Sequence, residues 1–465
     1  MNINETSTIA AIATPAGTGG IGIIRISGPH TLHIIQTIFK LKDSNQTPIL
    51  KFEHRKIYVG FILDTYHNRF IDEAIVFYMR APHSYTCEDL AEIQVHGSSV
   101  ILHMVLELIL SLGVTLAQPG EFTKRAFFNG RIDLIQAESI IDLMLAQSRS
   151  AVTLSTSLLK GDLGFSFQRI KNELLYLLSY INADIDFPEE DIPIISNDIF
   201  IHRIGMLISD EIKPLINNYQ EKRYLKEGVK IGIAGPPNVG KSSLLNCLLK
   251  KDRSIVTSIP GTTRDIIEET FFLNGIPLII SDTAGLHETL DPVESIGISK
   301  AKRHLKESDV ILFVIDSSKK IGSDEKKIYD YLNNKKIILV LNKIDIQSKH
   351  STTDTKFFQN VVDIVAISAK YQQGISELRK AIFKAIHLTP NESINAVVPN
   401  LRQSMGLKFI EKRLFDAIEN LKQFQPIELI AIDLQSALDK IDEVTGVDTP
   451  VDIFDMIFNH FCIGK

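Results

Sequence analysis

One stretch limits what this chain can fold into more than any other: VKIGIAGPPNVGKSSLLNCLLK, residues 229–250. A β-branched run leads into Gly235-Pro-Pro-Asn-Val-Gly240-Lys241-Ser242, and a Leu-rich segment with helical spacing follows. Glycines at a strand-to-helix junction let backbone N–H groups approach phosphates, and the helix N-terminus favours their negative charge. This context separates a phosphate-binding loop from a chance glycine-rich turn. In this reading Asn238, Val239, Gly240 and Ser243 form the cradle, Lys241 reaches the β and γ phosphates, and the Ser242 hydroxyl ligates Mg²⁺.

The motifs that follow select the nucleotide. Residues 270–273 and 276–280 flank Asn274-Gly275, the composition of a hairpin with a type I′ turn. Its second strand runs into Ser281-Asp282-Thr283-Ala284-Gly285, where Asp282 would hold the Mg²⁺ shell through water and Gly285 would donate its N–H to the γ-phosphate. Ahead of the hairpin, the polar loop Thr257-Ser258-Ile259-Pro260-Gly261-Thr262-Thr263 offers Thr263 as a second hydroxyl on Mg²⁺. The strand expected over 337–341 delivers Asn342-Lys343-Ile344-Asp345, whose carboxylate can accept from both N1–H and the 2-amino group of guanine; adenine offers no such pair. Ser368-Ala369-Lys370 would set backbone against the guanine O6. The expected nucleotide is GTP. Where a Ras-like enzyme carries a water-orienting glutamine, this chain has Leu286, so the polar group must come from elsewhere, with Glu288 and Glu294 nearby. The Asn238 amide could ligate a monovalent cation beside the phosphates and do the charge neutralisation of an arginine finger.

At 465 residues and 44% hydrophobic content, the chain is long enough for two to four domains with real cores. The net charge of −6 gives no domain-wide basic field of the kind that attracts nucleic acid, which leaves only a local basic patch for such a contact. Three widely spaced cysteines without CxxC spacing argue against disulfides and structural zinc. The start, MNINETSTIA, does not read as a signal peptide, and no apolar run is long enough to span a bilayer, so the expectation is a soluble cytoplasmic protein with no membrane partner.

The flanks have a different texture. GxGxxG occurs at Gly17, Gly19 and Gly22, but a β run (23–27) follows where a dinucleotide fold needs a helix. Further β runs are expected at 56–63, 73–78 and 92–95, and an apolar helix at 100–112. Helical spacing covers about 132–219, with one break at 184–191, and returns over 401–421 and 427–441, with Ile410, Leu414, Ile418 and Leu421 on one face. Neither helical segment looks complete alone. The economical arrangement is one helical domain whose chain is interrupted near residues 224 and 388.

TPAGTGGIGIIRISG, YTCEDLAEIQVHG, PGEFTKRAFFNGRIDL, IDFPEED, GPPNVGKSSLLN, GTTRD, DTAGL and the ending FCIGK together resemble the MnmE (TrmE) family of tRNA-modification GTPases over the whole length. The resemblance implies a multidomain α+β and α/β chain: an N-terminal α+β folate-binding and dimerisation domain (1–123), an all-α helical domain (124–223 and 389–465), and an inserted Ras-like P-loop GTPase domain (224–388). It implies a homodimer that works on tRNA with an FAD-dependent, MnmG-type partner in a heterotetramer. The family adds an aminomethyl or carboxymethylaminomethyl group to C5 of the wobble uridine, using a 5-formyl or 5,10-methylene tetrahydrofolate. Carried over by residue, K⁺ falls on Asn238, Thr257, Ile259 and Thr262, Mg²⁺ on Ser242 and Thr263, and the water-positioning acid on Glu294. Folate falls on Arg25, Glu92, Arg131 and Lys465.

Read alone, Arg25 and Glu92 would be solvated strand positions, yet a pterin shows the same donor pair to Glu92 that guanine shows to Asp345. Arg131 stands where the family often has Lys, and Cys87 where it usually has Gly, a Cβ expected to narrow that loop slightly. His96 reads as structural. Phe458 and Phe461 should pack and fix the exit of the tail. Cys462 then reads either as a thiolate adding to C6 of uridine or as a buried packing thiol. Prenylation fails, because CIGK has Gly at an aliphatic position and ends in Lys. The competing function class is a regulatory GTPase switch in ribosome or complex assembly.

Overall fold

The computed structural model describes residues 7–42, 51–186, 196–250, 268–273, 276–281, 304–332, 334–346, 357–386 and 396–465. The chain forms two compact units: Met1–Met144 with Ser157–Lys213 and Arg402–Lys465, and Leu145–Thr156 with Pro214–Leu401.

The first unit begins with a seven-stranded sheet. Its strands are β1 (Ile9–Ile12), β2 (Gly19–Ser27), β3 (Phe39–Leu41), β4 (Ile57–Asp64), β5 (Arg69–Met79), β6 (Leu90–Gly97) and β7 (Thr115–Leu116), in the order β3-β4-β5-β6-β2-β1-β7. All pairs are antiparallel except β1 with β7. The glycine-rich segment 17–22 therefore lies in and before a strand, and no helix starts there. Alternation along β2 buries Ile24 and Ile26 against the helices α1 (Thr31–Ile38) and α2 (Ser99–Ser111), while Arg25 faces the other way and stays half-buried. Across the sheet Arg25 stands directly opposite Glu92 of β6.

Helices α3 (Glu121–Phe128), α4 (Leu134–Leu145), α5 (Arg149–Lys160), α6 (Asp162–Asp186) and α7 (Asn197–Met206) follow. The helical region is more finely divided than its spacing suggested. A first interruption follows Leu145, and a second falls at Gly161, whose φ of +95° is a left-handed turn that favours glycine. Helix α6 continues through Asp184 to Asp186, and residues 187–195 of the expected break lie outside the described residues. A π-helical segment, Leu207–Ile212, comes after α7. Pro214, near the start of the next helix, cannot donate a backbone N–H, a cause that accounts for the local slip in hydrogen-bond register.

That helix, α8 (Lys213–Glu227), leads to the second unit's sheet, made of β8 (Val229–Ala234), β9 (Glu268–Leu273), β10 (Ile276–Ser281), β11 (Val310–Asp316), β12 (Lys336–Asn342) and β13 (Val361–Ala366), with α9 (Lys241–Lys250), α10 (Ser323–Leu332) and α11 (Ile375–Ile386). The order is β13-β12-β11-β8-β10-β9, parallel except for the β9–β10 hairpin. Leu273 pairs with Ile276, as a two-residue connection requires, and Asn274-Gly275 themselves lie outside the described residues. Every residue of β11 is buried, as expected for a parallel strand covered on both faces.

The chain ends in α12 (Leu401–Lys422), α13 (Ile427–Thr445) and α14 (Val451–Phe458). Ile410, Leu414, Ile418 and Leu421 share the buried face of α12 as their spacing predicted. Arg402 of α12 binds Glu138 of α4 through two bonds of 2.8 Å, and Gln403 adds a third of 2.6 Å to the same carboxylate. Two segments far apart in sequence are thereby tied into one helical bundle. Among the described residues no helix is long and apolar enough to cross a membrane.

Candidate functional site

The first unit gathers four sequence-distant residues. Because β2 and β6 place Arg25 opposite Glu92, the guanidinium donates from Nε (3.0 Å) and Nη2 (2.9 Å) to Glu92 Oε1. Its Nη1 donates to the carbonyl of Gly464, 3.1 Å away. Arg25 also lies 5.4 Å from the ring centre of Tyr85 and 5.5 Å from that of Phe122. Arg131 covers Tyr85 at 4.7 Å and donates to the Tyr85 carbonyl at 3.2 Å. The Tyr85 ring thus has two arginines within cation–π range. Tyr85, Arg131 and Lys465 line a cavity of about 520 Å³ whose other walls include Gln136, Ile140 and Met144. Burial, then the Arg25 cation, push the Lys465 amine below the ordinary lysine range, against the opposing pull of Glu92 and Cys462.

The tail is fixed in two places. Phe458 and Phe461 stack with ring centres 5.6 Å apart and are buried with Ala126, Ile132 and Leu134. Further on, Gly464 has φ +95°, and a Cβ there would stand 2.4 Å from the Ile12 carbonyl oxygen. Cys462 between these anchors is exposed, which overturns its reading as a buried packing thiol. Cys87 has φ +59°, the left-handed region that glycine occupies without cost. A cysteine there therefore carries backbone strain. His96 pairs with Asp72 at 2.8 Å.

Sequence reasoning missed Tyr85 and its support. Tyr85 Oη and Thr123 Oγ1 are 2.9 Å apart. The loop is held further by Arg125, almost fully buried, which binds Glu88 and Glu121 and the Ser7 carbonyl. Nothing in a one-dimensional pattern marks Arg125 as buried, since Ser7 and Glu88, which close over it, lie on segments distant in sequence.

In the second unit the guanine motifs converge on the phosphate loop. Asn342 Nδ2 donates to the Val239 carbonyl (2.8 Å), and Asn342 Oδ1 accepts from the Ala369 N–H (3.0 Å). Lys343 Nζ donates to the Asn238 carbonyl and to Asp316 Oδ2, each at 2.7 Å. Ser368 Oγ donates to Asp345 Oδ1 at 2.6 Å. Asn238 is exposed with φ +61°, and Gly240 at φ +97° leaves no room for a Cβ, which would meet Asn342 Nδ2. Ser242 and Ser243 are exposed in the first turn of α9, and Lys241 Nζ folds over the Gly235 and Pro236 carbonyls at 2.8 and 2.7 Å. Asp316, at the carboxyl end of β11, was legible as a strand-end acid but was not singled out. Burial raises its carboxyl, yet the bonds from Lys343 and Ser318 outweigh burial and hold it below the usual range. Thr257, Ser258, Ile259, Pro260, Gly261, Thr262, Thr263, Asp282, Thr283, Ala284, Gly285, Leu286, Glu288 and Glu294 lie outside the described residues.

Known proteins are similar to this chain in sequence. The family model "GTP-binding protein TrmE N-terminus" matches residues 8–131, and "MnmE helical domain" matches residues 134–462. The tRNA modification GTPase MnmE of Carboxydothermus hydrogenoformans is 41% identical over 460 residues, covering 98% of this chain and 99% of the relative. Those of Alkaliphilus metalliredigens and Natranaerobius thermophilus are 39% and 40% identical, each over 98% of this chain and 99% of the relative. With both its N-terminal and helical regions matched and its whole length shared, this chain belongs to the MnmE (TrmE) family of tRNA modification GTPases.

Proposed function

We propose that this protein hydrolyses GTP and, with an FAD-dependent partner, adds an aminomethyl or carboxymethylaminomethyl group to C5 of the wobble uridine of tRNA. The observation that carries the reading is the contact of Arg25 with Glu92, the Tyr85 ring and the docked tail, next to a cavity lined by Tyr85, Arg131 and Lys465. A reduced folate fits this donor set. The Glu92 carboxylate suits the paired ring N–H and 2-amino group of a pterin, and the cations of Arg131 and Lys465 suit its anionic tail or carbonyl groups. When bound, the folate supplies the one-carbon unit. The chain's own part is to orient it through Arg25, Glu92, Arg131 and Lys465. Cys462, exposed beside the anchored end of the tail, can add as thiolate to C6 of the uracil, making C5 nucleophilic; the C6–S bond breaks again as C5 loses its proton.

The nucleotide half of the reading rests on the convergence of Asn342, Lys343 and Ala369 on the phosphate loop. Lys241 leaves the loop carbonyls for the β and γ phosphates, and Ser242 with Thr263 would hold Mg²⁺. Asp345 selects guanine. K⁺ would be held by Asn238, Thr257, Ile259 and Thr262 when two copies pair their GTPase domains, and Glu294 would place the attacking water. The exposed, left-handed Asn238, its carbonyl fixed by Lys343, fits a ligand presented at the rim of the phosphate loop. The protein acts as a cytoplasmic homodimer, with domains dividing near residues 123, 223 and 388.

Titrating the full chain with 5-formyltetrahydrofolate, and timing GTP turnover in K⁺ and in Na⁺, tests both halves. Saturable folate binding and a large loss of turnover in Na⁺ are expected. No folate binding, or equal turnover in the two salts, would overturn the corresponding half.

A further inference from the structure

We propose that Cys247 is a positioning residue for guanine recognition, a hydrogen-bonded strut between the phosphate-loop helix and the Ser368-Ala369-Lys370 loop. The proposal rests on the guanine-nucleotide reading above and adds to it a residue of the phosphate-loop helix to which that reading gives no role.

The strut closes a circuit. The carbonyl of Val239 in the phosphate loop accepts from Asn342 Nδ2, and Asn342 Oδ1 accepts from the N–H of Ala369. The carbonyl of Ala369 then accepts from Cys247 Sγ at 2.8 Å. Cys247 sits on α9, the helix that starts at Lys241, so both ends of the circuit return to the segment that would hold the phosphates. Ala369 is 5% exposed, and Cys247 packs at the edge of the core that includes it, so water competes poorly for this bond. The rest of the loop is braced locally, Ser368 pairing with Gln373 in both directions at 3.1 Å and Ser368 Oγ meeting Asp345. Asn342 thus holds the amide side of Ala369 from β12, and Cys247 holds its carbonyl side from α9.

The position of that carbonyl sets the direction of the N–H groups after it, which are the donors available to a 6-oxo group. Without the thiol, the Ala369 carbonyl loses its partner on α9 and the loop gains freedom to turn those donors away from guanine O6. Serine keeps a donor in the same place, and alanine does not. The cost should therefore fall on nucleotides with a strong acceptor at position 6 and leave phosphate contacts intact.

The test uses the full chain, with equilibrium binding of GDP and of 6-thio-GDP, which keeps N1–H and the 2-amino group but has a weakly accepting sulfur at position 6. Cys247→Ala should weaken GDP by roughly three- to tenfold, the range of one neutral hydrogen bond, and weaken 6-thio-GDP little, so the preference between the two collapses. GTP turnover should show a raised KM with kcat unchanged, and Cys247→Ser should bind GDP within about twofold of the parent. Equal losses for the two nucleotides would mean a merely structural contact and would overturn the proposal, as would unchanged GDP binding in Cys247→Ala. A parent chain that binds neither nucleotide would refute the guanine reading itself, a result that the variants cannot mimic.

Discussion

Replacing Gly464 by Ala should separate tail docking from folding. At φ +95° an L-residue costs roughly 1–2 kcal/mol more than glycine. The added Cβ also meets backbone, 2.4 Å from the Ile12 oxygen and 2.8 Å from the Ala13 Cα. Ile12 cannot retreat, because it pairs with Ile24 inside the sheet. The last residues must therefore lift away, and Arg25 loses its bond to the Gly464 carbonyl, a charged-donor bond worth about 1.5–3 kcal/mol. Phe461 lies upstream in its own buried cluster, so the helical core should survive. Lys465 leaves the cavity with the tail. Loss of one charge-assisted contact to the ligand is on the order of 1.5–3 kcal/mol, which corresponds to roughly a ten- to hundredfold weaker affinity for 5-formyltetrahydrofolate. Calorimetric titration of the purified full chain reads this directly, with GTP turnover and a thermal melt as controls. Parental folate affinity in a folded Gly464→Ala protein would refute the argument that the docked tail completes the site.

Asp345→Asn should move nucleotide preference from GTP towards xanthosine triphosphate, by a factor on the order of 10⁴, since the amide no longer accepts twice; competition binding reads the ratio, and retained GTP preference would mean that Asp345 does not read the base. Cys87→Gly should raise stability by about 1 kcal/mol, seen as a higher denaturant midpoint with an unchanged slope, because it relieves a left-handed cysteine. Lys465 gives a pH signature. Its amine is pushed down in the folded chain by burial and by Arg25, so between that lowered value and the ordinary lysine range the unfolded chain holds a proton that the folded chain has released. Stability should therefore rise with pH across that window, and Lys465→Met should remove that part of the slope; an anionic ligand, which favours the charged amine, should bind with proton uptake.

Local pattern carried much of this structure and failed where geometry is long-range. The phosphate loop, the strand–helix alternation around it and the buried stripe of α12 are written in periodicities of two and 3.6 residues, and all appear where those periodicities place them. The interruption at Gly161 was not legible, because a helical stripe runs on through a single glycine. Arg25 illustrates the other limit. Its β run was evident, but only the register that sets it opposite Glu92, and the tail carbonyl arriving from 439 residues away, show that it is no ordinary solvated strand arginine. Tyr85 and Arg125 acquire their roles largely from such meetings. Cys247 sits in the most readable motif of the chain, yet its partner lies 122 residues further on, in another loop.

The most direct measurement of the central claim is nucleoside analysis, by chromatography and mass spectrometry, of tRNA from cells that lack this protein. Aminomethyl or carboxymethylaminomethyl groups on C5 of the wobble uridine should vanish there and return with the intact chain. A chain ending before Cys462 should fail to restore them while still hydrolysing GTP, because the tail belongs to the cavity of the first unit and the nucleotide motifs to the second. Wobble uridines that stay fully modified in the absence of the protein would contradict the account.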